Sequence, residues 1–175
     1  MKHKKILSDY TRQLGADGRE SYTYTGPRYT LVFPPGKRGQ MLLLCWIAPV
    51  AALALFFYMG FLGTEGTYTA YIALPYVSIL MPIALLLGDA YKLTIAKESM
   101  KRAEFERSVA QMRRCTIAGI ALAGITLAGQ TALIFFAGVA DPPREWLFWF
   151  LCLALFSVFL WFFYAQKRVR VTIHR

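Results

Sequence analysis

Most apolar positions along this chain neither alternate nor recur singly at helical spacing. They run together in four blocks, residues 41–62 (MLLLCWIAPVAALALFFYMGFL), 69–90, 116–139 and 146–165, with short polar stretches between them. Each block is about 20 to 24 residues long, which at ~1.5 Å per residue reaches ~30 to 36 Å and matches a hydrocarbon core of ~30 Å. A Lys, Arg or Asp at the centre of a spanning helix costs roughly 2.5 to 3.5 kcal/mol on insertion scales. The only acid or base inside the blocks is Asp89, at the inner end of the second. The pattern predicts an all-α integral membrane protein, an up-down bundle of four transmembrane helices. A segment of residues 1–40 precedes the membrane domain of 41–165, and a basic tail of 166–175 follows it.

The stretch between the second and third blocks, 91–115, has no Pro or Gly and is rich in Ala, Glu, Lys, Arg and Met. It predicts a helical elbow, with a turn near Glu98 to Lys101. Phe105, Val109 and Met112 recur at i, i+4 and i+7, so one arm carries an apolar stripe. That stripe packs on the other arm or the N-terminal segment, or it docks another protein. Upstream, ESYTYTGPRYTLVF alternates on both sides of Gly26-Pro27 and predicts a short β-hairpin over 20–33. Such a hairpin is marginal alone and needs a surface to lie on. The first twenty residues, with Lys2, Lys4 and Lys5, are expected to be a loose basic tail.

Composition agrees with the block pattern. Hydrophobic residues make up 57% of the 175, and mean hydropathy is +0.41, above the ~45 to 50% of soluble domains. Charge adds an orientation. Lys2, Lys4, Lys5, Arg12, Arg19, Arg28, Lys37 and Arg38 precede the first block. Lys92, Lys97, Lys101, Arg102, Arg107, Arg113 and Arg114 lie in the elbow, and Lys167, Arg168, Arg170 and Arg175 in the tail. Of the 20 Lys and Arg only Arg144 falls elsewhere. The positive-inside rule then places both termini and the elbow in the cytoplasm. GTEGTY and ADPPRE become short outer turns, flanked by Tyr68, Tyr71, Trp146 and Trp149 at headgroup level. The basic side suits anionic headgroups. With no nucleic-acid fold or aromatic platform in sight, nucleic acid is not an expected partner. About forty polar residues before the first block predict no cleaved secretory signal.

Candidate chemistry is sparse. His3 and His174 lie at the termini, Cys45, Cys115 and Cys152 form no CxxC, and neither G-x-S-x-G nor HExxH occurs. No catalytic set, cofactor site or metal site is expected. GKRG lacks the spacing of a phosphate loop. Asn is absent, removing any N-glycosylation acceptor. Small size, uncut insertion and compact loops point to a multi-pass protein of the bacterial inner membrane.

Within the blocks, Asp89 is expected to pair with Arg113 or Arg114 at the inner boundary. Gly119 with Ala123, and Gly124 with Ala128, form small-xxx-small pairs. With Gly129 they predict close helix packing and a central third span. The bulky fourth span is expected to face lipid or a partner. Pro75 and Pro82, seven apart, share a face and with Gln130 are the candidates for a pore or substrate lining. Taken together, these features predict a non-enzymatic accessory or regulatory subunit of a larger membrane assembly, partnered by other membrane subunits or by itself. The alternative is a small transporter or channel active as a homo-oligomer.

Overall fold

The four apolar blocks all fold as helices, the secondary structure that satisfies every backbone donor and acceptor within one segment. The computed structural model describes residues 10–14, 20–32, 38–95, 99–167 and 170–174. Helix α1 is Arg38–Phe61, α2 the single turn Glu65–Tyr68, α3 Ala70–Ser78, α4 Leu80–Ile95, α5 Arg102–Phe105, α6 Gln111–Ala132 and α7 Pro142–Lys167. Wide π-helical turns at Glu106–Ala110 and Leu133–Ala137 extend α6 in both directions. Four helical stretches are long and apolar enough to cross a membrane: Gly39–Phe61, Ala70–Ile95, Ser108–Ala137 and Pro142–Lys167.

The second of these spans α3 and α4. At Ile79 the backbone N–H reaches the Tyr76 carbonyl, three residues back, at 3.0 Å. Pro75 and Pro82 remove donors on either side, leaving the carbonyls of Tyr71 and Ser78 without their usual partners. The tighter turn is the local consequence. The connection between the first two spans turns at Gly63 (φ +59°), and the third span stops at Gly138 (φ +70°). Both conformations suit a residue without a Cβ.

Within the bundle α1 packs on α4 and α7, and α6 packs on α3, α4 and α7. The four spans therefore form a ring in which the first and third are diagonal. Buried positions advance in alternating steps of three and four: Ile72, Tyr76, Ile79, Ile83, Leu86 and Ala90 on the second span, Phe148, Cys152, Leu155, Phe159 and Phe162 on the fourth. This is the seam of a left-handed bundle. The expectation of a lipid-facing fourth span and a central third one is thus corrected. Bulky residues lie all round α7, so its inward stripe is invisible in hydropathy. Tyr76 is buried in this seam, its ring stacked on Phe56 at 4.7 Å and edge-on to Phe148, its hydroxyl donating to the Phe56 carbonyl.

Outside the spans, the flanking segments and the elbow contribute strands to two small sheets. Strands β1 (Tyr10–Leu14) and β2 (Glu20–Tyr24) pair antiparallel. Strand β3 (Arg28–Val32) is the centre of a separate sheet of order β4-β3-β5, between β4 (Ser99–Lys101) and β5 (Arg170–His174), antiparallel to both. The hairpin expected over 20–33 is therefore not formed. Its two halves belong to different sheets, separated at Gly26-Pro27, where the Tyr24 hydroxyl donates to the Pro27 carbonyl at 2.8 Å. Where the helical elbow is expected to turn, near Glu98 to Lys101, Ser99–Lys101 is a strand. Lys2, Lys4, Lys5, Lys97 and the turn at Glu98 lie outside the described residues.

Candidate functional site

Buried polar groups concentrate at the two ends of the bundle. At the end formed by the short turns, Asp141-Pro142-Pro143 starts α7 in the way proline allows, inside the first turn where its missing N–H has no intrahelical acceptor. Asp141 accepts the backbone N–H of Glu145 at 3.2 Å, and its carboxylate takes the Arg144 guanidinium at 3.0 Å. One turn into the helix, Glu145 faces inward and is 1% exposed.

The Glu145 carboxylate joins three parts of the chain. Its Oε1 accepts the backbone N–H of Glu65 at 2.6 Å, and its Oε2 accepts Nε2 of the fully buried Gln130 at 2.6 Å. Thr64, which precedes α2, makes no capping bond through its own side chain. An orphan N–H at the start of α2 is instead satisfied from eighty residues away. The Glu65 carboxylate returns the favour, accepting the backbone N–H of Ala140 at 3.0 Å. Two turns that look like simple connections are thus tied to each other and to the third span.

The fit around Gln130 is close. Its Oε1 and the Thr64 Oγ1 are buried without a hydrogen-bond partner. A Cβ on Gly66 would collide with the Gln130 oxygen, so the close approach of this turn to the Gln130 amide depends on the glycine. Trp149 completes this end by donating Nε1 to Thr131 Oγ1 at 2.9 Å, and Trp146, Trp149 and Phe150 pack against one another. A buried carboxylate held by an amide and a backbone N–H is well suited to fastening.

At the opposite end Asp89 is fully buried. Its partner is Lys92, one turn along the same helix, at 2.9 Å, in place of the expected Arg113 or Arg114. Arg113 lies over the Phe163 ring at 5.8 Å, and Arg114 is exposed. A spacing of three residues lets Lys92 reach back while its ammonium stays half in solvent, at a lower desolvation cost than burying a second charge. Nearby, Gln166 donates to Thr116 Oγ1 at 2.9 Å, joining the third and fourth spans, and Trp46 donates to Thr94 Oγ1 at 3.0 Å, joining the first and second. Asp89 Oδ2 and Gln166 Oε1 are buried without partners.

Phe105, Val109 and Met112 lie within the chain's own packing. Phe105 stacks on Tyr29 at 4.7 Å, Val109 is half-buried and Met112 is 4% exposed. A Cβ at Gly119 would press on the Phe159 ring and one at Gly129 on Ile72 and Tyr71, whereas one at Gly124 would meet Phe156 at ordinary contact distance. Ala123 is buried and Ala128 exposed. Pro82 is buried and Pro75 half-buried. Gln130, Pro75 and Pro82 do not converge on one hydrogen-bonded group, since Gln130 bonds to Glu145. Cys45, Cys115 and Cys152 are free and buried. Among the described residues no group of three His, Cys, Asp or Glu is placed to hold a metal ion.

Glu145 escaped the sequence reading because the fourth block was started at Trp146. The signal was present, however. Asp-Pro-Pro-x-Glu is a helix start, with an N-cap acid, prolines in the first turn and an acid placed for the helix dipole.

Four helices long and apolar enough to cross a membrane, packed in a ring with polar groups gathered at both ends, fit a multi-pass membrane protein. Comparison with protein-family models, curated proteins and solved structures found no match.

Proposed function

We propose that this chain is a non-enzymatic accessory or regulatory subunit of a larger membrane assembly, residing in a bacterial inner membrane with both termini and the elbow in the cytoplasm. The observation that carries the reading is where the polar groups go. Gln130 and Glu145 bond to each other, and Thr116, Thr126 and Thr131 donate to carbonyls four residues back. The interior between them is filled by Ile79, Ile83, Ala123, Leu155 and Phe159. Buried polarity is used to hold the bundle together, and the surfaces left for recognition are the lipid-facing ones. Among these, Ala118, Ala121, Ile125 and Ala128 are exposed on α6 at steps of three and four, where small side chains let another helix approach closely.

Native mass spectrometry of the protein released gently from its own membranes tests this. A stoichiometric complex with a different membrane protein, lost in Ala121→Trp while the purified subunit melts normally, is the expected result. A monomer, or a homo-oligomer indifferent to Ala121→Trp, counts against it.

A second reading, a small transporter or channel active as a homo-oligomer, draws on the interrupted second span at Ile79, between Pro75 and Pro82. Flux in liposomes that changes in Pro82→Ala, with oligomer size unchanged, favours it.

A further inference from the structure

The sheet β4-β3-β5 has two chemically distinct faces, set by its register. Lys101, Arg28 and His174 are aligned in one row across the three strands; the next row is Met100, Tyr29 and Ile173, then Ser99, Thr30 and Thr172. Leu31 pairs with Val171, and Val32 with Arg170. Because successive residues of a strand alternate between faces, Met100, Tyr29, Ile173, Leu31 and Val171 are positions of one face. Lys101, Arg28, His174, the three hydroxyl residues, Val32 and Arg170 are positions of the other. Two described residues tell the faces apart. Tyr29 is half-buried and stacks on Phe105 with an interplanar angle of 11°, whereas Arg28 is exposed. The face that holds the Arg28, Lys101 and Arg170 positions is the basic one, and Arg28, its described member, is exposed.

No Asp or Glu occurs in any of the three strands. Basic and hydroxyl residue types placed at neighbouring register positions suit phosphate oxygens, which take charge-assisted bonds from Arg and Lys and neutral ones from Ser and Thr. The sheet is also tethered close to the membrane. Only two residues separate Lys167, the last of the fourth span, from Arg170, so Arg170 stands within ~10 Å of the helix end. That is about one Debye length at physiological salt.

We infer that the basic face of this sheet is a binding site for the headgroups of anionic phospholipids in the adjoining leaflet. The site takes one strand from each of the three non-spanning segments at this end, so headgroup binding also holds the N-terminal segment, the elbow and the tail together. The inference rests on the reading that this end is cytoplasmic, where anionic lipids and the basic side meet.

The test is native mass spectrometry of the full-length protein in detergent, titrated with phosphatidylglycerol or phosphatidylcholine. Phosphatidylglycerol should be retained in preference. Arg28→Gln and Arg170→Gln should each lower its retention about fivefold, the equivalent of ~1 kcal/mol per base, with phosphatidylcholine unaffected. Arg28→Lys should keep most of the preference, and melting should be unchanged in all three. Equal retention of the two lipids, or an undiminished preference in the Arg28→Gln/Arg170→Gln variant, overturns the site. So does displacement of bound phosphatidylglycerol by short RNA or inorganic polyphosphate at equal phosphate concentration, which assigns the face to a soluble polyanion. Orientation is read separately, from labelling of Thr172→Cys by an impermeant thiol reagent. Labelling in intact cells would overturn the cytoplasmic reading alone, because headgroup preference in detergent does not depend on sidedness.

Discussion

Nε2 of Gln130 donates to Oε2 of Glu145 at 2.6 Å, and neither side chain has more than 1% of its surface exposed. The pair links the end of the third span to the start of the fourth. Through the other carboxylate oxygen it reaches the turn between the first two spans. Glu145→Ala strands both donors in a buried setting, at roughly 1 to 3 kcal/mol for each unsatisfied group. The melting temperature in detergent should fall, and more than in Gln130→Leu, which leaves the Glu65 N–H satisfied. Equal melting of Glu145→Ala and the parent would show the cluster to be dispensable.

Gly66 permits that pair to exist. A Cβ at this position collides with the Gln130 amide, so Gly66→Ala should destabilise by about 1 to 3 kcal/mol, the usual range for overpacking. In Gly66→Ala/Gln130→Ala the obstruction is gone, and a double-mutant cycle should return a favourable coupling between the two substitutions. Strict additivity would mean the backbone moves aside instead.

Two glycines of the third span should behave oppositely. At Gly119 a Cβ would lie 2.5 Å from the Phe159 ring, whereas at Gly124 the nearest atom, on Phe156, is 3.6 Å away. Gly119→Ala should lower stability and be relieved by Phe159→Leu. Gly124→Ala should be neutral, or stabilising by up to ~1 kcal/mol through helix propensity. Thermal melts of the three variants decide it.

Asp89→Asn should have a small effect, within about 1 kcal/mol. The carboxylate's partner Lys92 is 53% exposed and returns to water when the pair is broken, and the buried charge that the pair offsets is removed with it. A large loss of stability would mean that the buried charge interacts with more than Lys92.

Removing residues 170–175 deletes the strand that pairs along the whole of β3. Hydrogen exchange should quicken at the amides of 28–32, while the amides of Leu80–Ile95 keep their protection. Unchanged exchange over 28–32 would show β4 alone to be sufficient.

The spans were legible because a bilayer-length apolar run has few alternative structures. The block at 41–62 became α1, Arg38–Phe61, within a turn at either end. The ring order and the inward stripe of α7 were not legible, since in lipid the inner and outer faces of a helix are both apolar. The β4-β3-β5 sheet was illegible for another reason. Its strands are three to five residues long and pair Arg28 with Lys101 and His174, and local alternation carries no information about so distant a partner. What alternation could offer was the nearest pairing, 20–24 with 28–32, and the Gly26-Pro27 break between them misled it. Of the candidate site, Gln130 was visible as the amide inside a span. Its partner was hidden by counting Glu145 as turn.

The order of synthesis gives the small sheet a temporal meaning. Strand β3 emerges before the first span, and its full-length neighbour β5 follows the fourth, from Val32 to Arg170. At about 5 to 20 residues per second, the ribosome takes roughly 7 to 28 s to cover that interval. For all of it β3 has no long strand beside it. The third strand can dock only after every span has been synthesised, so closure of the sheet is the last step its sequence order allows.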